Sequence, residues 1–298
     1  MGYKLRPRDP AAEVRKVARQ AIEKAVEALS APPAERGEGV HQARKRFKEL
    51  RALLRLVRKP LGKQFQRENH WLRDLGRELA ESRDATAMLE SWDALAARFP
   101  EPFAEPVFRQ AKQRLQARAT HAESGVAEID TRLAKVMGEL NDGQTRIDDW
   151  PLQAKGFDLL AAGIERTYAD GCAEQARVRL DLSDEQLHQW RKRVKDHWYQ
   201  TRLLAPSWPM LMQLRSDSLK KLADLLGDDH DLAVMRQLLQ QQPALFGDEA
   251  MQERLGNLIA ERRSELQSAA LKLGGELYVQ APAELVARWR RYWDGAAE

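Results

Sequence analysis

The feature that most constrains this chain is that it matches itself. Laying the segment from His41 over the segment from His188, an offset of 147 residues, brings VHQARKRFKELRALLR onto LHQWRKRVKDHWYQTR. His41, Gln42, Arg44, Lys45, Arg46, Lys48 and Arg55 fall on His188, Gln189, Arg191, Lys192, Arg193, Lys195 and Arg202. The register continues without a gap: Leu72, Leu75 and Leu79 fall on Leu219, Leu222 and Leu226, Arg73 on Lys220, Asp84 on Asp231, and Met88 on Met235. Backwards, Arg19 falls on Arg166, whereas the register is lost beyond about residue 95. A match of this length without insertion reads as an internal duplication.

Glycine and proline are scarce, and the frequent residues are helix formers. Helices are expected roughly over 9–29, 38–58, 62–82, 84–98 and one long stretch 103–139, then over 152–179, 183–204, 209–227, 229–241, 248–280 and 282–293. Pro32-Pro33, Pro60, the Pro100/Pro102/Pro106 group, Pro206 and Pro209 punctuate them. Ser183 followed by Gln186 has the pattern of a capping box. No alternating strand pattern of useful length is present. The loop expected at Asn141-Asp142-Gly143 divides the chain into lobes 1–143 and 144–298. The fold class that follows is all-α: two antiparallel helical bundles side by side.

On a helix advancing roughly 100° per residue, Arg44, Lys48, Arg51 and Arg55 fall within about 80° of His41 on one side. Phe47, Leu50, Leu54 and Val57 take the opposite face. Residues 41–59 carry eight Lys/Arg against one acid, Glu49, and 188–202 carry five against Asp196. In the second copy His188, Arg191, Lys195 and Arg202 share an arc with Trp198, while Trp190, Val194 and Leu204 lie behind. A solvated helix face ordinarily alternates charge sign, with Glu-to-Lys pairs four apart. Here cations stack on cations, twice, and the repulsion is relieved if an anion neutralises the stripe. Arg offers phosphate a planar fork of donors and Lys a mobile point charge, so an evenly spaced ladder suits a polymer of repeated phosphates. Protonated His41 and His188 are further phosphate donors, or alternatively structural residues. Arg46 and Arg193 fall on the flank and read as peripheral. Lys45, Lys192, Arg19, Arg166, Arg73 and Lys220 complete the candidate cation set.

At these residues the sequence resembles the CHAD family, the conserved histidine α-helical domain. Its signature is His-x-x-Arg-x-x-x-Lys/Arg-x-x-Arg given twice, each followed by a Leu-Gly-x-x-x-Asp-like segment. The first copy supplies His41, Arg44, Lys48 and Arg51, then Leu79 to Asp84; the second supplies His188, Arg191 and Lys195, then Leu226-Gly227 to Asp231. The resemblance covers essentially the whole chain. It implies two bundles related by a pseudo-twofold, with a basic surface or channel that binds inorganic polyphosphate. It further implies association with polyphosphate-metabolising enzymes or granule proteins, in the cytoplasm or on granules. The chain departs from the family pattern at Ala80, which replaces Gly. It departs again at Trp198, where Arg is usual, and at Arg202, three residues after Tyr199, where Glu is frequent. The resemblance therefore implies two unequal half-sites. The Glu-x-Glu-x-Lys signature of the CYTH triphosphatase that precedes this domain in many relatives is absent, which points to a stand-alone binding module.

Catalysis of phosphoryl transfer needs metal-holding carboxylates beside the cations. Asp228-Asp229-His230-Asp231 is the one acidic cluster, and it is expected to cap a helix start rather than hold a metal. No P-loop, nucleophile elbow or zincin motif is present, and Cys172 has no evident catalytic partner. Neither catalysis, cofactor nor metal is expected. The net charge of +4 is modest, so any polyanion binding rests on local charge. Nucleic acid is the second-ranked partner, because the same cations hold a sugar-phosphate backbone, although no reading module is recognised. The opening MGYKLRPRDP has no apolar run, no stretch is long enough to span a membrane, and one cysteine fits a reducing compartment.

Overall fold

The computed structural model describes residues 3–79, 84–122 and 126–297, with side chains described outside 80–86 and 120–128. The described residues form helices, most joined by short turns and one pair by the longer segment 146–157, with no strand among them. In chain order they are α1 (Pro10–Leu29), α2 (Arg36–Leu56), α3 (Arg58–Leu61), α4 (Lys63–Glu78), α5 (Asp84–Arg98), α6 (Pro100–Phe103) and α7 (Pro106–Ala122). There follow α8 (Val126–Thr145), α9 (Asp158–Leu180), α10 (Asp184–Leu203), α11 (Pro209–Gln241), α12 (Glu249–Leu277) and α13 (Pro282–Gly295).

The starts follow from capping chemistry. Asp9 accepts from the Ala12 amide at 3.0 Å, Ser183 from Gln186 at 3.5 Å and Asp248 from Met251 at 2.9 Å. Proline occupies the first turn of α1, α11 and α13, where its missing N–H is harmless.

Three expectations fail, two for a packing reason and one at a proline. The helix expected to stop at Gly227 continues, so 209–241 is one element. Gly227 is buried under Arg191, and a Cβ there would lie 3.3 Å from the Arg191 Nη2; the glycine serves close approach, not a break. The boundary expected at Asn141-Asp142-Gly143 is helical, inside α8. A Cβ at Gly143 would come 2.2 Å from the Trp71 ring, so this glycine admits an indole. The long helix expected over 103–139 does not run from its start: the short α6 ends at Phe103 and Pro106 opens α7, while residues 123–125 of that stretch lie outside the described residues.

The apolar faces read from periodicity are buried: Phe47, Leu50, Leu54 and Val57 on or just after α2 are at most 2% exposed, as are Trp190, Val194 and Leu204 at α10. Two hydrophobic cores result. One joins α1, α2, α3, α4, α8, α9, α10, α13, the first half of α11 and the last turns of α12; the other joins α5, α6 and α7 to the second half of α11 and to the earlier part of α12. Neither core follows a division at residue 143. The centre is the meeting of α2 with α9 and α10. There Gly163 on α9 lies so close to the Leu56 carbonyl that any Cβ would collide with it at 1.9 Å. This close approach seats α9 against α2, and α10 packs against both.

Candidate functional site

The seam between α2 and α10 is tied by two ion pairs. Arg55 Nη1 meets Asp196 Oδ1 at 3.1 Å, and Arg202 Nη1 meets Glu49 Oε1 at 3.1 Å. At the offset of 147 these are the same contact made in both directions, the pattern a local twofold produces. Arg46 also binds Glu49, and Arg193 binds Asp196 at 3.3 Å. Glu49 is fully buried and Asp196 is 8% exposed. Each acid that interrupts a basic helix thus gathers two arginines. Arg55 and Arg202, read from sequence as members of the stripe, work as clamps, as do the flanking Arg46 and Arg193. Arg202 also lies over the Trp198 ring, 5.0 Å from its centroid, and over Tyr3 at 5.5 Å. Trp198 donates to Ser216 Oγ at 3.2 Å.

Beside the clamps the remaining cations converge. Lys195 is half-enclosed near Arg191 and Lys48, and burial followed by those two like charges pushes its pKa down to about 8, against the pull of Asp224 and Asp231. Arg191 lies across Gly227, and its buried Nε has no hydrogen-bond partner. Arg51 donates to Asn69 Oδ1 at 3.0 Å; burial, then Arg55, then Arg73 and Arg193 bring its pKa down to about 10. Arg44 reaches the Leu79 carbonyl at 3.5 Å. Lys45, Lys4, Arg202 and Lys220 line a cleft of about 420 Å³ with Trp198 and Ser216 in its wall. Cations from both halves of the chain therefore share one face.

The sequence leaves His188, at the head of the second stripe, open between a protonated donor and a structural residue. Its ring stacks on His230 with centroids 4.6 Å apart and planes 30° apart, and its Nδ1 is buried without a partner. Burial, then Lys192, His230 and Arg191, hold its pKa down at about 4, so the neutral imidazole prevails at neutral pH. His41 lies partly buried on α2.

The outlying candidates are engaged locally. Arg19 binds Asp148, Arg166 binds Asp170 at 3.3 Å, Arg73 binds Asp74 at 2.9 Å and Lys220 binds Asp224 at 2.6 Å. Asp170 also approaches Arg193 at 4.0 Å, which brings Arg166 toward the seam. Lys192 is exposed and donates to Gln189 at 3.4 Å.

The acidic cluster does not cap a helix. It sits in the middle of α11, where no terminal N–H groups exist to be capped. Asp229, 1% exposed, accepts from Arg263 at 2.9 and 3.2 Å and from Gln267 at 2.8 Å. Burial, Asp224 and Asp231 raise the pKa of Asp228. No group of three or more His, Cys, Asp or Glu among the described residues is arranged to hold a metal. The Leu79-to-Asp84 segment of the first copy lies outside the described side chains beyond Leu79.

Sequence reasoning missed Lys4, the stacking of His230 on His188 and the clamping role of Glu49 and Asp196. The acids carried a signal, since they occupy the same register in the two copies; Lys4 and His230 carried none.

Comparison with known proteins agrees with this architecture. The crystal structure of the CHAD domain from the plant Ricinus communis superposes with a TM-score of 0.57 at 19% identity, over 91% of this chain and 93% of that one. No curated protein matches the sequence. The family model of the CHAD domain matches residues 13–240, and the chain is a member of the CHAD-domain family.

Proposed function

We propose that this protein binds inorganic polyphosphate, without turning it over, along the face where α2 meets α10. The observation that carries the reading is Lys195, largely buried near Arg191 of its own helix and Lys48 of the other, its pKa lowered first by burial and then by those two like charges. Such a group gains most from an anion that bridges it to its neighbours. A chain of linked phosphates supplies that bridge repeatedly, and the cleft lined by Lys4, Lys45 and Lys220 extends the same face. Family membership supports the polyphosphate reading. The Trp198 ring is occupied by Arg202 and Ser216, which argues against base stacking there and keeps nucleic acid second. The best-buried acid of the α11 row, Asp229, is occupied by Arg263, which leaves it unsuited to metal-assisted hydrolysis. No helix among the described residues is long and apolar enough to cross a membrane. Association with polyphosphate granules or their enzymes belongs to the same proposal.

The test is competition between long-chain polyphosphate and single-stranded RNA for the protein, with Lys48→Glu/Arg191→Glu as the site variant. Polyphosphate is expected to win at equal phosphate concentration. Losing two cations should weaken binding about a hundredfold or more, since each charge-assisted hydrogen bond is worth about 1.5–3 kcal/mol. RNA winning, or a folded double variant binding as before, refutes the assignment. Phosphate release on incubation with polyphosphate and Mg²⁺ would refute the absence of turnover.

A further inference from the structure

Between the first turns of α11, the end of α12 and α13 lies a pocket of about 260 Å³ that the polyphosphate reading does not use. Its walls are mainly apolar, with Leu211, Leu214, Leu277 and Trp289 among them. Its charged members are Arg215 and Arg288. Neither has a carboxylate partner among the described residues. Arg215 sends Nε and Nη2 to His197 Nε2 at 3.2 and 3.1 Å, and Nη2 also to the Leu277 carbonyl at 3.2 Å. Its guanidinium lies 5.8 Å from the Trp289 ring centroid and 5.7 Å from that of Tyr168. Arg288 gives Nη2 to Gln280, and its Nε is buried with no partner at all.

The contrast with the rest of the chain is informative. The buried arginine at Arg263 is matched by Asp229 and Asp184, and the seam arginines by Glu49 and Asp196. A largely enclosed guanidinium without a counter-ion is costly, and here a second one stands near it. Burial first, and Arg288 among the charges, lower the pKa of Arg215. Apolar side chains are exposed beside it as well: Leu214 of the pocket wall is 63% exposed, and Trp208, 45% exposed, packs edge-on against the wall residue Tyr292.

We propose that this pocket binds a free alkyl carboxylate, its anionic head between Arg215 and Arg288 and its alkyl chain against Leu211, Leu214 and Trp289. An apolar wall disfavours a multiply charged, strongly hydrated anion such as polyphosphate. A single carboxylate would take the donors that remain, Arg215 Nη1 and the Arg288 guanidinium, while the Arg215 Nε and Nη2 stay on His197 and Leu277. The volume, about 260 Å³, lies just below the usual range of small-molecule sites and suits a small ligand with a short alkyl tail.

The experiment is calorimetric titration of the whole protein with octanoate, octanol and tripolyphosphate. Octanoate is expected to bind saturably and octanol at least tenfold more weakly. Arg288→Gln, which leaves the His197 contacts of Arg215 in place, is expected to weaken octanoate at least tenfold. Arg290→Gln, on the same helix but paired with Asp158, should leave it unchanged. Octanol binding as well as octanoate, loss of octanoate affinity in Arg290→Gln equal to that in Arg288→Gln, displacement of octanoate by tripolyphosphate, or no saturable octanoate binding would each overturn the proposal.

Discussion

Arg202 on α10 reaches Glu49 on α2 at 3.1 Å, and Glu49 is fully buried between the motif helices. Arg46 shares the same carboxylate. Removing that single charge leaves two arginines facing a neutral amide in the core of the seam. Glu49→Gln should therefore destabilise the fold by roughly 3–5 kcal/mol, toward the lower figure because Arg202 keeps some solvent contact. Arg202→Met alone should cost less, and the double variant should recover part of the Glu49→Gln loss. Denaturant midpoints at constant m-value give the cycle. Additive effects would refute direct coupling.

Gly227 offers a separation of stability from binding. Alanine in mid-helix is favoured over glycine by about 1 kcal/mol, and the site is in the interior of a 33-residue helix. A methyl group there meets Arg191 Nη2 at 3.3 Å and Nε at 3.6 Å, so the flexible guanidinium must shift by a few tenths of an ångström. Gly227→Ala is expected to hold or raise the thermal midpoint while lowering polyphosphate affinity several-fold; Gly227→Leu should lower the affinity further. Unchanged affinity for both would mean that Arg191 does not depend on this glycine for its position.

The sequence disclosed the helical class, the buried faces of α2 and α10 and the clustering of cations, because periodicity and charge density are local properties. It did not disclose which cations are committed. Arg55 and Arg51 are indistinguishable on a helical wheel, yet one is clamped to Asp196 and the other donates to Asn69. That difference depends on which helix lies opposite. The same limit explains Gly143 and Gly227. Glycine signals either a turn or a close approach, and only the neighbouring Trp71 and Arg191 decide between them. Asp229 resembled a cap until the continuity of α11 and the partner Arg263 were in view.

His188 makes acid stability site-specific. Its folded pKa of about 4 lies below the ordinary 6.5, so between those values the unfolded chain binds the proton and the folded chain does not. Stability is then present above about pH 6.5 and lost progressively as pH falls toward 4. His230, stacked on it, and buried His197 are shifted in the same direction. The diagnostic quantity is consequently the difference between wild type and His188→Gln. Denaturation free energy measured from pH 7 to pH 4.5 should fall less steeply in the variant, and parallel profiles would remove His188 from the acid response.

Lys195 gives the binding reaction its own proton signature. With a pKa of about 8 in the free protein, the lysine is about half charged at pH 8. A phosphate chain laid against Lys48, Arg191 and Lys195 favours the charged ammonium and raises that pKa. Binding near pH 8 must then take up about half a proton, and affinity must decline as pH rises from 7 to 9. Titrations in buffers of different ionisation enthalpy measure the uptake directly. In Lys195→Arg the cation is permanent at these pH values, so affinity at pH 7 should be retained while the uptake disappears. Wild-type binding without proton uptake at pH 8, or uptake that persists in Lys195→Arg, would remove Lys195 from the contact surface.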